Sequence, residues 1–405
     1  MTAATAPATA QRDIADAARR APGPGRHIPA LDGIRGMAIL LVMLLHMNIN
    51  PDRVAADGVF RWITSFGWIG VDMFFVLSGF LITGILFDAK GSNHYFKTFY
   101  MRRTVRIFPL YYLFLVLALF ALPLLSLVYV PQWMYGQQHW FWLYLSNFRM
   151  ATQGGWAASE ALLITWSLAI EEQFYLLWPA VVFCCGRRTL LRVCVGCILA
   201  AFVTRLVVWS LGGNWLMLFF LTPCRLDALC IGAFIALTWR GPRGMQPLLR
   251  HTRWLAPLCI AAIAGLAVAT GNLGGQNKIV LTFGLTFVGL LFGCVVARAA
   301  VATDGTLGHR LWNNRVLLMF GKYSYAMYLF HVPVLTAVER WLYAPTTTNG
   351  HNPLLGTFWM IGSSQLPGQM VFYAISITLT VVVAMISWHA YEKHFLKLKK
   401  LFPYR

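Results

Sequence analysis

A chain of 405 residues that is 58% hydrophobic and only 12% charged is not a soluble domain, which at this size carries about twice that share of charge. The formal net charge of +19 would suit a nucleic-acid binder if the basic residues gathered on one surface, but they are dealt out between apolar runs instead. Those runs lack the two-residue alternation of a membrane barrel, so the expected fold is all-α, that of a polytopic integral membrane protein.

In chain order, residues 1–28 are Ala-, Thr- and Pro-rich without an apolar core and read as a disordered cytoplasmic tail rather than a cleaved signal peptide. A helix needs about 20 apolar residues to cross the bilayer. Ten runs approach that length, near 34–50, 67–87, 108–130, 165–185, 193–211, 219–238, 254–270, 278–298, 316–338 and 368–390. The first, sixth and ninth carry polar residues and are the weakest by hydropathy. The loops at 131–164 and 339–367 are aromatic and Gly-rich and are expected to form lids or re-entrant pieces, and 396–405 reads as a basic cytoplasmic tail. Of the 33 Lys and Arg residues, 25 fall in one alternating set of loops and tails and five in the other. The positive-inside rule then predicts an even number of spans with both termini cytoplasmic, in the inner (plasma) membrane.

Chemistry is sought among the polar residues inside the runs. In the first, LDGIRGMAILLVMLLH, Arg35 and His46 stand eleven residues apart, within about 20° of the same helix face and about 16 Å apart along the axis. The plain reading makes Arg35 a headgroup anchor and His46 a packing residue; a charged group at membrane depth is otherwise a mark of function. Asp72, Glu171, Glu172, Arg225, Asp227 and His331 all read as lying toward the outer half, with Ser324 on the face of His331. Imidazoles among carboxylates suit general acid–base catalysis, and equally a proton relay; Arg225 and a carboxylate would also serve simply to neutralise each other, and Asp72 reads as readily as a structural pairing as a direct participant. On the other side, Arg103 and Arg106 share a face if helical, and clustered guanidinium forks suit phosphate as well as they suit membrane anchoring. No GxxxxGK[ST], GxGxxG or HExxH stretch supports NTP, dinucleotide or metal chemistry, and the CxxC of Cys194 and Cys197 reads as apolar filler.

Taken together, LDGIRGMAILLVMLLH, FFVLSGFLITGIL, RRTVRIFPLYY, WSLAIEEQFYLLWP, CRLDALCIGAF and SYAMYLFHVP, in this order, resemble the acyltransferase 3 family of membrane O-acyltransferases over about residues 29–395. The resemblance implies transfer of an acyl group, usually acetyl, from cytoplasmic acyl-CoA to a hydroxyl, commonly on a sugar of a lipopolysaccharide, exopolysaccharide or lipid-linked glycan. It points to Arg35 and His46 as essential and to Arg103 and Arg106 as handling acyl-CoA. On this reading Arg35, Arg103 and Arg106 hold the coenzyme phosphates, and His46 is general base, partnered by Glu171, Glu172 or Asp72. Arg225, Ser324 or Tyr325 would stabilise the oxyanion, and His331 is a second acid–base candidate. An acyl-enzyme on His46 or Ser324 is the mechanistic alternative. The rival class is a transporter or flippase for a lipid-linked glycan, though such proteins often show two similar halves and none is visible here. Neither metal nor nucleic acid is expected as a partner, and the oligomeric state is left open.

Overall fold

In a bilayer no water satisfies backbone N–H and C=O groups, so an apolar run of spanning length must become a helix that bonds to itself. The computed structural model describes residues 18, 21, 27–48, 54–153, 159–271, 273–343 and 363–404, and among these it is helical throughout, with no strand element. The long helices are α1 (Pro29–His46), α2 (Ala55–Ser65), α3 (Ile69–Asp88), α4 (Tyr95–Val116), α5 (Thr165–Cys184), α6 (Arg187–Ser210), α7 (Thr222–Trp239), α8 (Gln246–Thr270), α9 (Leu285–Ala300), α10 (Arg315–Tyr343) and α11 (Leu366–Ser387). Each of the ten expected runs overlaps one of them, the third most loosely: α4 begins at Tyr95, thirteen residues before the expected 108, and its apolar end continues as a π turn and short helix to Leu124; the amphipathic α2, which no run anticipated, leads through a 3-10 turn into α3.

Eight helical stretches among the described residues are long and apolar enough to cross a membrane. The helices α5 and α10 have the length, 20 and 29 residues, but not the apolarity. Of these only α10, the ninth run, is one that hydropathy flagged as weak; α5 falls short because it carries Glu171, Glu172 and Gln173 together. Most of the expected tail 1–28 and of the 339–367 loop lies outside the described residues, but Ala18 is described and does not behave as a free tail: it is buried and its carbonyl accepts a hydrogen bond from the Met245 N–H at 2.7 Å. Between α4 and α5 the 131–164 loop forms short helices, with Asn147 donating to the Phe220 carbonyl (3.1 Å) and to Thr222 (2.9 Å).

Lipid tails give helices no hydrophobic reason to associate, so close backbone approach through small residues supplies the packing. A Cβ on Gly79 would stand 1.8 Å from the Leu229 carbonyl oxygen, and one on Gly232 1.9 Å from that of Val76, so α3 and α7 meet backbone to backbone. The helices α1 and α10 do the same: a Cβ on Gly36 would lie 2.0 Å from the Leu317 oxygen and one on Gly321 1.9 Å from that of Asp32.

One end of the bundle gathers the basic segments. Lys90 donates to the Val182 (3.0 Å) and Cys185 (2.7 Å) carbonyls, and Arg240 forks onto Asp88 at 2.6 and 2.5 Å. At the opposite end Gln369 and Tyr373 of α11 each donate, at 2.8 Å, to the carbonyls of Met47 and Leu44. The segment expected as a tail from 396 does not leave the bundle within the described residues. It continues α11 through a π-helical turn (Trp388–Glu392), a short helix (Lys393–Lys397) and a 3-10 turn (Leu398–Leu401), and lies against α4.

Candidate functional site: a charged cavity and a histidine pair

A narrow cavity, partly open to solvent and with room of ≈ 80 Å³, runs between α1, α3, α4, α5 and α10. Arg35, Arg103 and Arg106 line it, as do Glu171, Glu172, Tyr175, Ser78, Ser324, Tyr325, Ser167 and Tyr328. Arg103 and Arg106, three apart on one turn of α4, share a face, and both line the cavity. Neither makes an ion pair or hydrogen bond among the described residues; Arg103 rests over the Phe99 and Tyr175 rings at 5.9 and 5.7 Å, and Arg35 is 3.8 Å from Asp32. Guanidinium groups left without carboxylate partners are free to fork onto an oxyanion.

Deeper in, Glu171 accepts a hydrogen bond from Ser78, whose own oxygen accepts one from Tyr175 at 3.0 Å. Glu172 keeps a buried carboxylate oxygen without a partner. Ser324 donates to the Gly321 carbonyl (2.9 Å) and Tyr325 to that of Ile107 (2.8 Å), so both hydroxyl protons are already engaged. Ser167 and Tyr328 share a 2.6 Å hydrogen bond across α5 and α10.

Tyr328 joins this cavity to the histidines. Its ring centroid is 5.8 Å from that of His331, which meets His46 edge-on at 5.0 Å. The two helices run parallel here. His46 lies ten residues beyond Gly36 and His331 ten beyond Gly321, so equal helical rise brings both rings level, about 15 Å from the glycine contact. His46 Nδ1 donates to the Val42 carbonyl (2.9 Å); His331 Nδ1 donates to those of Tyr328 (2.7 Å) and Met327 (3.2 Å). Because a carbonyl only accepts, Nδ1 carries the proton in each ring, and Nε2 of the neutral imidazole holds a lone pair. His331 Nε2 is buried without a partner, whereas His46 is partly accessible.

The charges expected in one outer cluster with His46 thus fall into three groups. Glu171 and Glu172 belong to the arginine cavity, and the backbone of Val42, not a carboxylate, orients the His46 ring. Asp72 and Arg225 line neither the cavity nor the histidine pair: Arg225 donates to Asp72 at 3.0 Å, fully buried, its guanidinium caged by Phe219 (5.0 Å), Phe75 (5.6 Å) and Trp166 (5.6 Å). Asp227 pairs with Arg205 of α6 at 2.9 Å and accepts from Thr286 at 2.8 Å. For Asp72 as imidazole partner and Arg225 as oxyanion donor, mutual neutralisation is what the geometry provides; helix spacing gives depth but not which neighbour a side chain faces. Ser78, Tyr175, Ser167 and Tyr328 escaped the sequence reading. The only signal for them was spacing: Tyr328 three residues before His331, and Tyr175 four after Glu171. Among the described residues no group of His, Cys, Asp and Glu is arranged to hold a metal ion.

Fold and site together define an all-helical, multi-pass membrane protein with an arginine- and carboxylate-lined cavity inside the bundle. More narrowly, the chain belongs to the acyltransferase 3 family, whose model, described as an acyltransferase domain, matches residues 28–389. It is 30% identical over 397 residues to YrhL of Bacillus subtilis (strain 168), which carries the provisional name of a peptidoglycan O-acetyltransferase, covering 91% of this chain and 55% of that protein. It is 27% identical over 396 residues to the O-acetyltransferase OatA of Staphylococcus aureus (strain NCTC 8325 / PS 47), covering 91% of this chain and 57% of the relative. With the peptidoglycan O-acetyltransferase OatA of Listeria monocytogenes it shares 27% over 339 residues, 77% of this chain and 50% of the relative. The chain spans about half the length of the curated relatives it matches. No solved structure matches it.

Proposed function

We propose that the protein transfers an acetyl group from acetyl-CoA, bound at the basic end of the bundle, to a sugar hydroxyl of an envelope glycan. The peptidoglycan named for its relatives is the first acceptor to test. The observation that carries this reading is that one cavity is lined by Arg35, Arg103, Arg106, Glu171, Ser78 and Tyr328, and that the Tyr328 ring in turn packs against the His331–His46 pair. It is a route for a long, thin donor with an anionic head. The arginines would hold the phosphates, and the pantetheine arm would lie along the cavity with its thioester near Tyr328.

His46 would act as general base. The Val42 bond keeps the proton on Nδ1 and leaves Nε2 to accept one from the acceptor hydroxyl. The alkoxide oxygen attacks the thioester carbonyl; the tetrahedral oxyanion collapses, the C–S bond breaks, and the thiolate leaves as thiol with the proton that His46 took up. His331, its own Nδ1 tied to the backbone, would present a second lone pair beside His46 and share the charge that develops there. Both ends of the path matter to this scheme, which also places the basic loops, and with them both termini, on the cytoplasmic side by the positive-inside rule.

The test is reconstitution of the purified protein in liposomes with labelled acetyl-CoA and glycan fragments. Esterified product is expected from the wild type and none from His46→Ala, with coenzyme A binding intact in both. Near-normal transfer by His46→Ala would overturn the base assignment; no ester from the wild type with any wall glycan would overturn the acceptor class.

A further inference from the structure

The basic end holds a cation that the path above does not use. After the short helix Lys393–Lys397, the 3-10 turn Leu398–Leu401 swings the chain across the first turns of α4, where Arg102 fastens it. Arg102 donates to the Lys399 and Phe402 carbonyls at 3.2 and 2.9 Å and lies 5.1 Å from the centre of the Tyr404 ring, while Thr98 donates to Pro403 at 3.4 Å. Higher up, Tyr391 donates to the carbonyl of Pro109 at 3.3 Å.

Arg102's bonds to the Lys399 and Phe402 carbonyls lay the partly buried Lys399 against α4, within one turn of Arg103 and Arg106. Among the described residues no carboxylate stands within ion-pairing distance of Lys399, Arg102, Arg103 or Arg106. Of the nearby acids, Asp32 is engaged with His27 at 2.6 Å and with Arg35, Glu392 with Ser387 at 3.1 Å and Glu171 with Ser78, while Glu172 lines the same cavity without forming an ion pair with these cations among the described residues. Arg102, Arg103 and Arg106 on one stretch of α4, with the strap's lysines laid across it, are like charges that repel one another, and a ligand with several phosphate charges relieves that repulsion. The backbone bonds from Arg102 hold Lys399 in this company against the repulsion.

Resting on the acyl-CoA reading, we infer that the C-terminal strap, Leu398 to Tyr404, forms one wall of the donor's phosphate site and that Lys399 is a phosphate-binding residue completing the Arg35–Arg103–Arg106 cluster. The two elements it couples are far apart in sequence, the α4 arginines and the last residues of the chain. Donor binding and seating of the strap are then linked: the polyanion that satisfies the arginines also holds Lys399 down.

The experiment uses the full chain in detergent micelles. Binding of free coenzyme A is measured by calorimetry for the wild type, Lys399→Gln, Lys399→Arg and the exposed neighbour Lys400→Gln. Steady-state kinetics and trypsin cleavage at residues 397–400 are followed alongside. Loss of one charge-assisted phosphate contact weakens binding about tenfold. Expected are a Kd and an acetyl-CoA KM about tenfold higher for Lys399→Gln with kcat and the acceptor KM retained, near-wild-type values for Lys399→Arg and Lys400→Gln, and slower trypsin cleavage of the strap in the wild type when coenzyme A is present. A Kd for Lys399→Gln within twofold of wild type, or a strap cleaved equally fast with and without coenzyme A, overturns the inference. Should the wild type bind no coenzyme A, it is the donor reading that falls, a result distinct from equal binding by wild type and variant.

Discussion

His46 and His331 each commit one ring nitrogen to the preceding turn of their own helix, which fixes the tautomer without help from a carboxylate. Replacing the His331 ring by Gln keeps a polar group of similar reach but removes its basic nitrogen. His331→Gln is expected to lower kcat for acetyl transfer about 10²-fold, within the range of general acid–base contributions, with KM for acetyl-CoA unchanged; unchanged kcat would leave His331 a packing residue. For Arg103→Ala and Arg106→Ala the expectation is reversed, with KM for acetyl-CoA rising well beyond that for the acceptor, and equal effects on both substrates would speak against a phosphate role. The buried pair Arg225–Asp72 makes its own prediction. Arg225→Met should cost about 3–5 kcal/mol by stranding the Asp72 carboxylate, and adding Asp72→Leu should recover much of it. A double variant as unstable as the single one, by thermal unfolding in detergent, would show that the pair does more than neutralise itself. Of the site residues, the ionisable ones were legible in the sequence because charge in an apolar run is rare. Ser78, Ser167, Tyr175 and Tyr328 were not, since hydroxyls are common in membrane helices and only a neighbour across the interface gives them a role.

Helices α1 and α10, and likewise α3 and α7, are held at a distance that only glycine permits. Gly232→Ala pushes a methyl group into the Val76 carbonyl, so the helices must part or shift. About 1–3 kcal/mol of destabilisation is expected, read as a fall in Tm, together with weakened transfer because α3 also carries Ser78 and Phe75 into the cavity. Helix α5 shows the limit of hydropathy as a guide. Glu171, Glu172 and Gln173 lower its score below that of its neighbours, yet it lines the cavity along much of its length. An element that builds a polar site inside a membrane protein looks least like a membrane helix because the site is what its polar residues serve.

For the molecule as a whole, the basic loops and the strap sit at one end and the histidine pair is displaced toward the other. This arrangement sets the orientation test. Gly136 and Gly186 each have open space where a Cβ would be placed, so a cysteine fits at either site. In a chain stripped of its eight native cysteines, an impermeant maleimide applied to intact cells should label Gly136→Cys, and label Gly186→Cys only after permeabilisation. The opposite pattern would invert the protein and detach the arginine cavity from cytoplasmic acyl-CoA. By itself the sequence determined the helical class, the approximate whereabouts of the apolar helices and the basic asymmetry of the loops, because each is set by transfer of short segments between water and lipid and needs no partner. Which charges meet was decided by tertiary structure alone: whether Asp72 faces His46 or Arg225, whether Glu171 joins histidines or arginines, and where the last residues of the chain come to rest. The reason is that helix periodicity states the depth and face of a side chain, while its partner depends on how another helix, hundreds of residues away in sequence, is turned and how closely glycine lets it approach.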